Sequence, residues 1–436
     1  MRIAVPLVLL LACLPVPGQQ ETLVLPAYDQ TSSSYNVMNV GLNGSVSTLA
    51  NLPSFTSYQI VQTLDNTGYR VIGQLNLPGY SGAVLNVDAQ GRVTTVVSSP
   101  LLQAAALMVA DKNGDWIIAT RAANMDTTLL RLRGGTLTTI TTAVNLAIDG
   151  FSFDPASGQL LVRGFLNKPL LWGYFRVDPR NGTVTTFTLP AWGIRNMGVG
   201  SRAPLFRGKD GDFLDLFVHN QKLEGALINL SAENGVTTLN TFGNYTYPSD
   251  LIEAGGRAFP VRYRALIYQT MGKNQSSVVH LTGDGTAVGV LPLPGLGTFQ
   301  RTSFARAGGR HLSWKQTVPL NDRILNLSFP GEGGRPFVVG ASLNGTCPGL
   351  PLKDGRVIPL AIDVLTGLCL SGGIPGLLEG TVGLLDASGR AAVKVNANPL
   401  GPGVKGVRIW FAAVVLDPSA PSAVAHIVGP DLIELR

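Results

Sequence analysis

The sequence is poor in charge. Only 14% of its 436 residues are Asp, Glu, Lys or Arg, against about a quarter in an ordinary soluble domain. Glycine is abundant instead, with 52 residues, and hydrophobic residues make up 45% of the chain. This composition is typical of a turn-rich extracellular β protein and speaks against a helical cytosolic enzyme.

Clusters of basic residues are also missing. The formal net charge is +6, but no block of Lys or Arg concentrates it in one segment. Nucleic-acid binding needs such a cluster, so we predict no nucleic-acid partner. Beyond the N-terminus no apolar run is long enough to span a bilayer, so we predict no transmembrane segment in the mature chain.

Cysteine and histidine are scarce, with three and four residues respectively. No histidine lies near a pair of cysteines, so the sequence offers no zinc site, and we predict neither a metal nor a cofactor. The histidines do not recur at one repeat position, and we therefore assign no catalytic residue. They are His219, His280, His311 and His426.

The N-terminus carries the clearest targeting signal. Arg2 precedes a short apolar run, and the small and helix-breaking residues Pro15-Val-Pro-Gly18 follow it. This order predicts a secretory signal peptide over residues 1–18. Leu10-Leu-Ala-Cys13 also resembles a lipobox, so a lipid-anchored form stays open. We expect the mature protein to be secreted or to reside in the cell envelope, in the periplasm or at the cell surface.

Removal of this peptide would leave two cysteines, Cys347 and Cys369. An even pair in an exported chain predicts a disulfide, and two unlinked buried thiols are the alternative. The bond would stabilise the fold by about 3 kcal/mol by restricting the unfolded chain.

A short motif recurs through the first two thirds of the chain. It is a turn glycine, then a run of Thr, Ser and Val, then a large apolar residue. The copies lie roughly 44–53 residues apart, which is the period of a four-stranded propeller blade. They are Asn43-Gly-Ser-Val-Ser-Thr-Leu, Gln90-Gly-Arg-Val-Thr-Thr-Val, Gly134-Gly-Thr-Leu-Thr-Thr-Ile, Asn181-Gly-Thr-Val-Thr-Thr-Phe, Asn234-Gly-Val-Thr-Thr-Leu and, more loosely, Gly283-Asp-Gly-Thr-Ala-Val.

The motif predicts an all-β fold with a propeller over residues 22–329. Five repeats appear complete, and the pieces 22–53 and 295–328 are each incomplete. A ring must join its ends, and strands from both pieces could share one blade. Sharing gives six blades and separate pieces give seven; the pattern favours six. The five repeats run over residues 54–100, 101–143, 144–190, 191–243 and 244–294.

The C-terminal region lacks the motif. Gly331-Glu-Gly-Gly-Arg-Pro336 has the composition of a linker. Beyond it, six short strand candidates with intervening turns predict an immunoglobulin-like β-sandwich over residues 337–436.

Two resemblances follow from these segments. Val177-Asp-Pro-Arg-Asn-Gly-Thr-Val-Thr-Thr-Phe187 resembles the blades of NHL and streptogramin-lyase-like propellers of secreted bacterial proteins. The tail, from Val338-Val-Gly-Ala-Ser-Leu-Asn344 onward, resembles a C-terminal sandwich module of exported bacterial proteins. Both resemblances imply a fold and carry over no catalytic residue.

Candidate ligand-binding residues come from blade geometry. Connections into the first strand of each blade lie at the mouth of the central channel, where propellers usually bind ligands. The alternative is that these side chains pair with one another and close the channel. The six candidates are Tyr58, Gln103, Asp149, Arg195, Asp250 and Arg301.

These features predict an exported binding or surface-interaction protein that recognises a polar ligand, a glycan or a protein. The alternative is a propeller-fold hydrolase or lyase acting in the cell envelope or outside the cell. A calcium loop at Asp111-Lys-Asn-Gly-Asp115 is a weaker reading, because the later glutamate of an EF-hand is missing.

Overall fold

The chain is nearly all β. The computed structural model describes residues 22–29, 34–41, 45–52, 54–63, 68–75, 81–102, 105–111, 113–121, 126–154, 157–167, 170–188, 205–206, 213–219, 224–231, 234–244, 246–253, 262–269, 275–282, 284–293, 305–307, 311–316, 322–354 and 356–435. Statements about the structure refer to these ranges.

Five antiparallel sheets of four strands follow one another along the chain, after three N-terminal strands. The N-terminal strands are β1 (Thr22–Asp29), β2 (Ser34–Gly41) and β3 (Val46–Leu52). Sheet 2 contains β4 (Phe55–Gln62), β5 (Gly68–Leu75), β6 (Gly82–Asp88) and β7 (Val93–Ser99), followed by a 3₁₀ turn at Pro100–Leu102. Sheet 3 contains β8 (Ala105–Ala110), β9 (Trp116–Arg121), β10 (Thr127–Arg133) and β11 (Thr136–Val144).

Sheets 4, 5 and 6 repeat this order of strands. Sheet 4 contains β12 (Leu146–Phe153), β13 (Leu160–Asn167), β14 (Leu170–Val177) and β15 (Val184–Thr188). Sheet 5 contains β16 (Leu205–Phe206), β17 (Phe213–His219), β18 (Glu224–Ser231) and β19 (Gly235–Asn244). Sheet 6 contains β20 (Thr246–Glu253), β21 (Arg262–Gln269), β22 (Gln275–Thr282) and β23 (Ala287–Leu293). Each of the five predicted repeats thus folds as one sheet.

Sheet 1 joins the two ends of this region. The short strand β24 (Ala305–Ala307) pairs antiparallel with β1, so the sheet has the order β24-β1-β2-β3. Leu23 lies opposite Arg306 in this pairing. The C-terminal piece therefore supplies the first strand of sheet 1, and the N-terminal piece supplies the other three.

Hydrophobic cores link the sheets in a cycle. Each core contains buried side chains from two neighbouring sheets: 1 and 2, 2 and 3, 3 and 4, 4 and 5, 5 and 6, and finally 6 and 1. The last of these contains Leu23 and Leu25 of β1 with Val278 of β22. The first strands also contact one another, from β24 through β4, β8, β12 and β16 to β20.

The recurring sequence motif has a clear structural role. Its apolar residue is an extra residue in the outer strand of each sheet, where the register with the third strand shifts by one. Such a bulge redirects a side chain and twists the strand. The bulged residues pack into the cores between sheets. They are Leu49, Val96, Ile140, Phe187 and Leu239.

The turn glycine of one sheet lies against the outer strand of the preceding sheet. A Cβ added to Gly91 would lie 1.9 Å from the carbonyl oxygen of Leu49, and the φ angle of Gly91 is +80°. Gly285 lies in the same way against the side chain of Leu239, and Gly182 against Thr141. Glycine is needed at Gly91 both for the backbone angle and for the close approach.

Two further sheets share one hydrophobic core at the C-terminal end. Sheet 7 has the order β25-β26-β33-β31-β30 and sheet 8 the order β32-β27-β34-β35. Their strands, with the small hairpin β28-β29, are β25 (His311–Gln316), β26 (Asp322–Ser328), β27 (Pro336–Ser342), β28 (Leu350–Pro351), β29 (Val357–Ile358), β30 (Gly373–Ile374), β31 (Leu378–Glu379), β32 (Val382–Leu384), β33 (Arg390–Asn396), β34 (Arg408–Leu416) and β35 (Val424–Glu434).

Two features of this region differ from expectation. The strands β25 and β26 were expected in the last propeller piece, but β26 pairs with β33 along its whole length, so both belong to sheet 7. The expected linker is a tight connection between β26 and β27. There Glu332 lies 2.9 Å from Arg335 and 2.7 Å from the buried ring of His426. A flexible linker would not hold its charged side chains in this way.

A helix, α1 (Val364–Leu370), interrupts the strands of the C-terminal region. Asp363 caps its N-terminus by accepting a hydrogen bond from the Thr366 amide, and the Thr366 hydroxyl accepts one from the Asp363 amide. This reciprocal cap stabilises a helix that has only seven residues. Two 3₁₀ turns follow at Asn398–Leu400 and Pro402–Val404.

The predicted disulfide is absent. Cys347 and Cys369 are both thiols. Cys369 lies on α1 within the core of sheets 7 and 8, where burial raises its pKa to about 11. The Cys347 sulfur lies in different surroundings, 3.6 Å from where a Cβ on Gly158 would be. The even number of cysteines therefore gave a wrong prediction, because each thiol has its own packing environment.

We predict that Gly91→Ala destabilises the protein more than Gly134→Ala. Gly134 also has a positive φ, but no atom lies within 4 Å of its added Cβ. Gly134→Ala should cost about 1–2 kcal/mol from backbone strain alone, and Gly91→Ala should cost clearly more because the Leu49 carbonyl must move. Urea unfolding of both variants measures the difference, and equal losses would contradict the interlocking of sheets 1 and 2.

We predict that Cys347 reacts with a thiol reagent in the native protein and that Cys369 does not. Cys369 is buried and its thiol ionises only far above neutral pH, whereas Cys347 is partly exposed. Alkylation before and after unfolding, followed by peptide mass mapping, measures both. A linked peptide pair in the non-reduced digest would restore the disulfide.

Candidate functional site

The first strands of four sheets share a bulge. The register with the second strand shifts by one at Tyr58 in β4, Ala106 in β8, Asp149 in β12 and Ser249 in β20. Because the first strands contact one another, these bulges lie around the centre of the ring. Bulges next to functional sites commonly re-aim side chains. The repeated bulge defines the candidate site.

Three of the six predicted ligand residues belong to the described chain. Tyr58 and Asp149 occupy equivalent bulge positions in different sheets, and Asp250 follows the bulge of β20. All three lie within first strands, although we had placed them in the connections that lead into those strands. Gln103, Arg195 and Arg301 lie outside the described residues, as does the structural context of the Tyr58 side chain.

Of the three, Asp149 has a carboxylate oxygen that can accept a further hydrogen bond. Its Oδ1 lies 4.0 Å from a guanidinium nitrogen of Arg121, at the end of β9. Its Oδ2 is buried and has no hydrogen-bond partner among the described residues. Buried carboxylate oxygens nearly always accept a hydrogen bond from protein, water or ligand. Asp149 therefore offers an unfilled acceptor near the centre of the ring.

The residue that follows the bulge makes different hydrogen bonds in sheets 2 and 6. Gln59, which follows Tyr58, is buried and accepts a hydrogen bond from the amide of Met108 in the next sheet. Asp250 has the equivalent position in sheet 6, is buried, and accepts one from the Leu251 amide at 3.0 Å. Gln59 therefore links sheets 2 and 3, whereas the bond of Asp250 lies within its own strand.

A buried ion pair joins sheets 4 and 5. Arg163 on β13 donates to both carboxylate oxygens of Asp215 on β17, at 3.0 and 2.8 Å, and Tyr174 donates to the same carboxylate at 2.8 Å. Burial alone would lower the pKa of Arg163, but the Asp215 carboxylate raises it. Burial and Asp215 raise the pKa of Tyr174. Arg163 and Tyr174 thus keep one protonation state across the physiological range.

We did not predict this pair from the sequence. One signal was present: Asp215 interrupts the apolar strand Phe213-Leu-Asp-Leu-Phe217, where a buried charge needs a partner. The partner lies 52 residues earlier in the chain, and no local pattern points to it.

The C-terminal region contacts the turns that follow the first strands of sheets 3 and 4. Arg408 on β34 lies 2.9 Å from the Asp115 carboxylate, in the turn between β8 and β9, and also donates to the Asn113 carbonyl. Cys347 lies next to Gly158, in the equivalent turn between β12 and β13. Asp149 is the fourth of the eight residues of β12, whereas this turn follows the end of that strand. The contacts of the C-terminal sheets therefore lie beyond the ends of the first strands.

The Asp111–Asp115 turn was the candidate calcium loop. Its Asp111 carboxylate forms hydrogen bonds within the turn itself. The Asp111 carboxylate accepts hydrogen bonds from the amides of Asn113 and Asp115, at 2.7 and 3.0 Å. Burial raises the pKa of Asp111. Within the described chain, no group of three or more potential metal ligands lies together.

The four histidines lie on four different strands. His219 ends β17, His280 lies in β22 with Arg264 at 3.3 Å, His311 begins β25 and His426 contacts Glu332. They belong to four different sheets.

Comparisons with known sequences identify no family for this chain. No protein-family model matches the chain. Formate–tetrahydrofolate ligase of Bacillus licheniformis is 29% identical over 120 residues, which is 28% of this chain and 19% of the ligase. The chain thus spans about a fifth of the length of this curated relative, and the match assigns no activity to it.

Comparisons with solved structures concern the fold. TolB from Acinetobacter baumannii has a TM-score of 0.48 and 12% identity over 66% of this chain and 68% of TolB. A chain of a nidogen–laminin complex has a TM-score of 0.47 and 10% identity over 66% and 98%. A putative 6-phosphogluconolactonase from Bacteroides uniformis has a TM-score of 0.42 and 16% identity over 72% and 93%. The neighbours are β-propellers, and the chain resembles proteins of that fold.

We predict that Arg163→Met destabilises the protein by about 3–5 kcal/mol, because it leaves the Asp215 charge buried without its main partner. Arg180→Met is the matched control, since Arg180 forms an exposed pair with Asp178 and should leave unfolding unchanged. Chemical denaturation measures both. Similar stability of Arg163→Met and the wild type would show that the pair contributes no stability.

Proposed function

We propose that this chain is an exported binding protein, built as a six-bladed β-propeller with a β-sandwich docked on one end of the ring. The six four-stranded sheets, the cycle of six cores and the pairing of β24 with β1 support the propeller. Sheets 7 and 8 with their common core support the sandwich. The proposed propeller spans residues 22–307 and the sandwich residues 311–435.

The proposed location is outside the cell or in its envelope. The predicted signal peptide and the low charge support export; residues 1–18 lie outside the described ranges. Within the described ranges, none of the helices combines the length and apolar character that a membrane crossing needs. A location outside the cytoplasm would also bring the protein into contact with glycans and surface proteins.

The binding role rests on the Asp149 carboxylate. One of its oxygens is buried without a hydrogen-bond donor among the residues that the structure describes, and Asp149 lies on a bulge that recurs in other first strands. A donor on a bound ligand would complete its hydrogen bonding. A buried carboxylate oxygen without a donor destabilises the free protein. Ligand binding therefore explains the Oδ2 atom of Asp149 better than folding does.

The charges around Asp149 favour a polar ligand. Asp149 can accept a hydrogen bond from a hydroxyl or an ammonium group, and Arg121 beside it can donate one to an oxygen. A sugar hydroxyl can fill both roles, and so can a protein segment that carries donors and acceptors. Tyr58, Gln103, Arg195, Asp250 and Arg301 complete the proposed set of ligand residues.

The sandwich supports this choice of site. Arg408 and Cys347 contact turns that follow the ends of first strands, whereas Asp149 lies within its strand. A ligand would therefore approach Asp149 without displacing these contacts.

We predict that Asp149→Asn weakens ligand retention on glycan and peptide arrays by about tenfold or more, because hydrogen bonds to charged groups contribute about 1.5–3 kcal/mol. Asparagine keeps the size of the side chain and removes its charge. Comparison of array profiles for variant and wild type gives the result.

Asp88→Asn is the matched control. Asp88 is the last residue of β6, two strands away from the first strand of its sheet, and its carboxylate accepts hydrogen bonds from the Gln90 and Arg92 amides. This variant should retain every ligand that the wild type retains. If both variants bind like the wild type, the Asp149 site is excluded. Release of a cleaved product by the wild type from a retained ligand would indicate a hydrolase or lyase instead.

A further inference from the structure

The outer strands of the six sheets carry no charge. No Asp, Glu, Lys or Arg occurs in β3, β7, β11, β15, β19 or β23. An edge strand has backbone N–H and C=O groups that can pair with another strand, and natural edges usually use charged residues to prevent it. Most of these edges instead present hydroxyl side chains, such as the exposed Thr94 and Thr95 of β7.

The outer strand of sheet 6 is an exception. Val288 and Val290 on β23 are 59% and 61% exposed. Two residues beyond the bulge, where β23 has Val290, the outer strands of sheets 1, 2 and 5 have exposed polar residues: Asn51, Ser98 and Thr241. At the bulge itself, five strands place a half-buried apolar residue against a core, whereas Val288 is exposed.

This edge determines the chemistry of its partner. β23 pairs with β22 on one side and is the last strand of sheet 6 on the other. A partner must therefore supply an extended strand, and its side chains must be apolar and uncharged to cover two exposed valines. Pro292 lacks an N–H group and confines the pairing to the residues before it.

We propose that β23 is a self-association edge, and that two copies of the protein pair antiparallel through it. An identical strand meets both requirements, since it brings an edge that pairs with no other described strand and the same two valines. Antiparallel pairing of identical strands has two-fold symmetry, so the assembly closes as a dimer and does not grow. Neither strand carries a charge that would oppose the approach. The dimer is independent of the proposed ligand site.

Charge elsewhere on the molecule gives the association a characteristic salt dependence. Each copy carries a formal net charge of +6, so the two copies repel at long range and salt screens that repulsion. Association through uncharged β23 should therefore strengthen as salt is added. An interface built on ion pairs would weaken under the same change.

Analytical ultracentrifugation of the purified full chain over a range of concentrations tests the proposal. We expect the average mass of the wild type to rise toward twice that of the monomer, and to rise further in higher salt. Val290→Lys should lower the association constant by about tenfold or more, because like charges then face each other across the two-fold axis. Val290→Thr should weaken it less, as threonine keeps the β-branched shape.

Ser98→Lys is the matched control, because Ser98 has the equivalent position on the outer strand of sheet 2. It should associate like the wild type. Thermal unfolding verifies that each variant is folded. A wild type that stays monomeric at every concentration overturns the proposal. So does a Val290→Lys variant that associates as well as Ser98→Lys.

Discussion

The close approach between neighbouring sheets is the constraint on which the ring depends. The outer strand of one sheet bulges toward the next, and the next sheet must offer a turn without a side chain, as Gly91 does beneath the Leu49 carbonyl. The bulged residue then fills the core between the two sheets. One local device thus fixes both the spacing of the sheets and the hydrophobic contacts that hold them, and its repetition carries the chain around the ring.

This device also explains which predictions succeeded. The repeat was visible because each copy needs the same local residues: a glycine for the turn and an apolar residue for the bulge. Partner choice over long distances was not visible. The strands β25 and β26 look like propeller strands but pair with β33, and each cysteine packs in its own surroundings. Blade geometry led us to propose Tyr58 and Asp149 as ligand residues, which stays a prediction, whereas the bulges and the Arg163–Asp215 pair depend on contacts between strands and could not be predicted from the sequence.

The few charged residues are unevenly distributed over the structure. Several charged residues form buried or half-buried pairs at joints: Arg163 with Asp215 between sheets 4 and 5, and Arg408 with Asp115 between the C-terminal sheets and sheet 3. Buried pairs of this kind contribute directional constraints more than net stability. The outer strands, in contrast, have no charge at all, so polarity at the perimeter comes from hydroxyl and amide groups.

The pairing of β1 with β24 has a consequence for the order of assembly. During synthesis β1 emerges first, yet its neighbour in the sheet, residues 305–307, emerges almost three hundred residues later. Contacts this distant in sequence close slowly, because a long loop must be ordered before they form. The N-terminal strands must therefore wait, with one edge and the core face of Leu23 uncovered, until nearly the whole ring has been made.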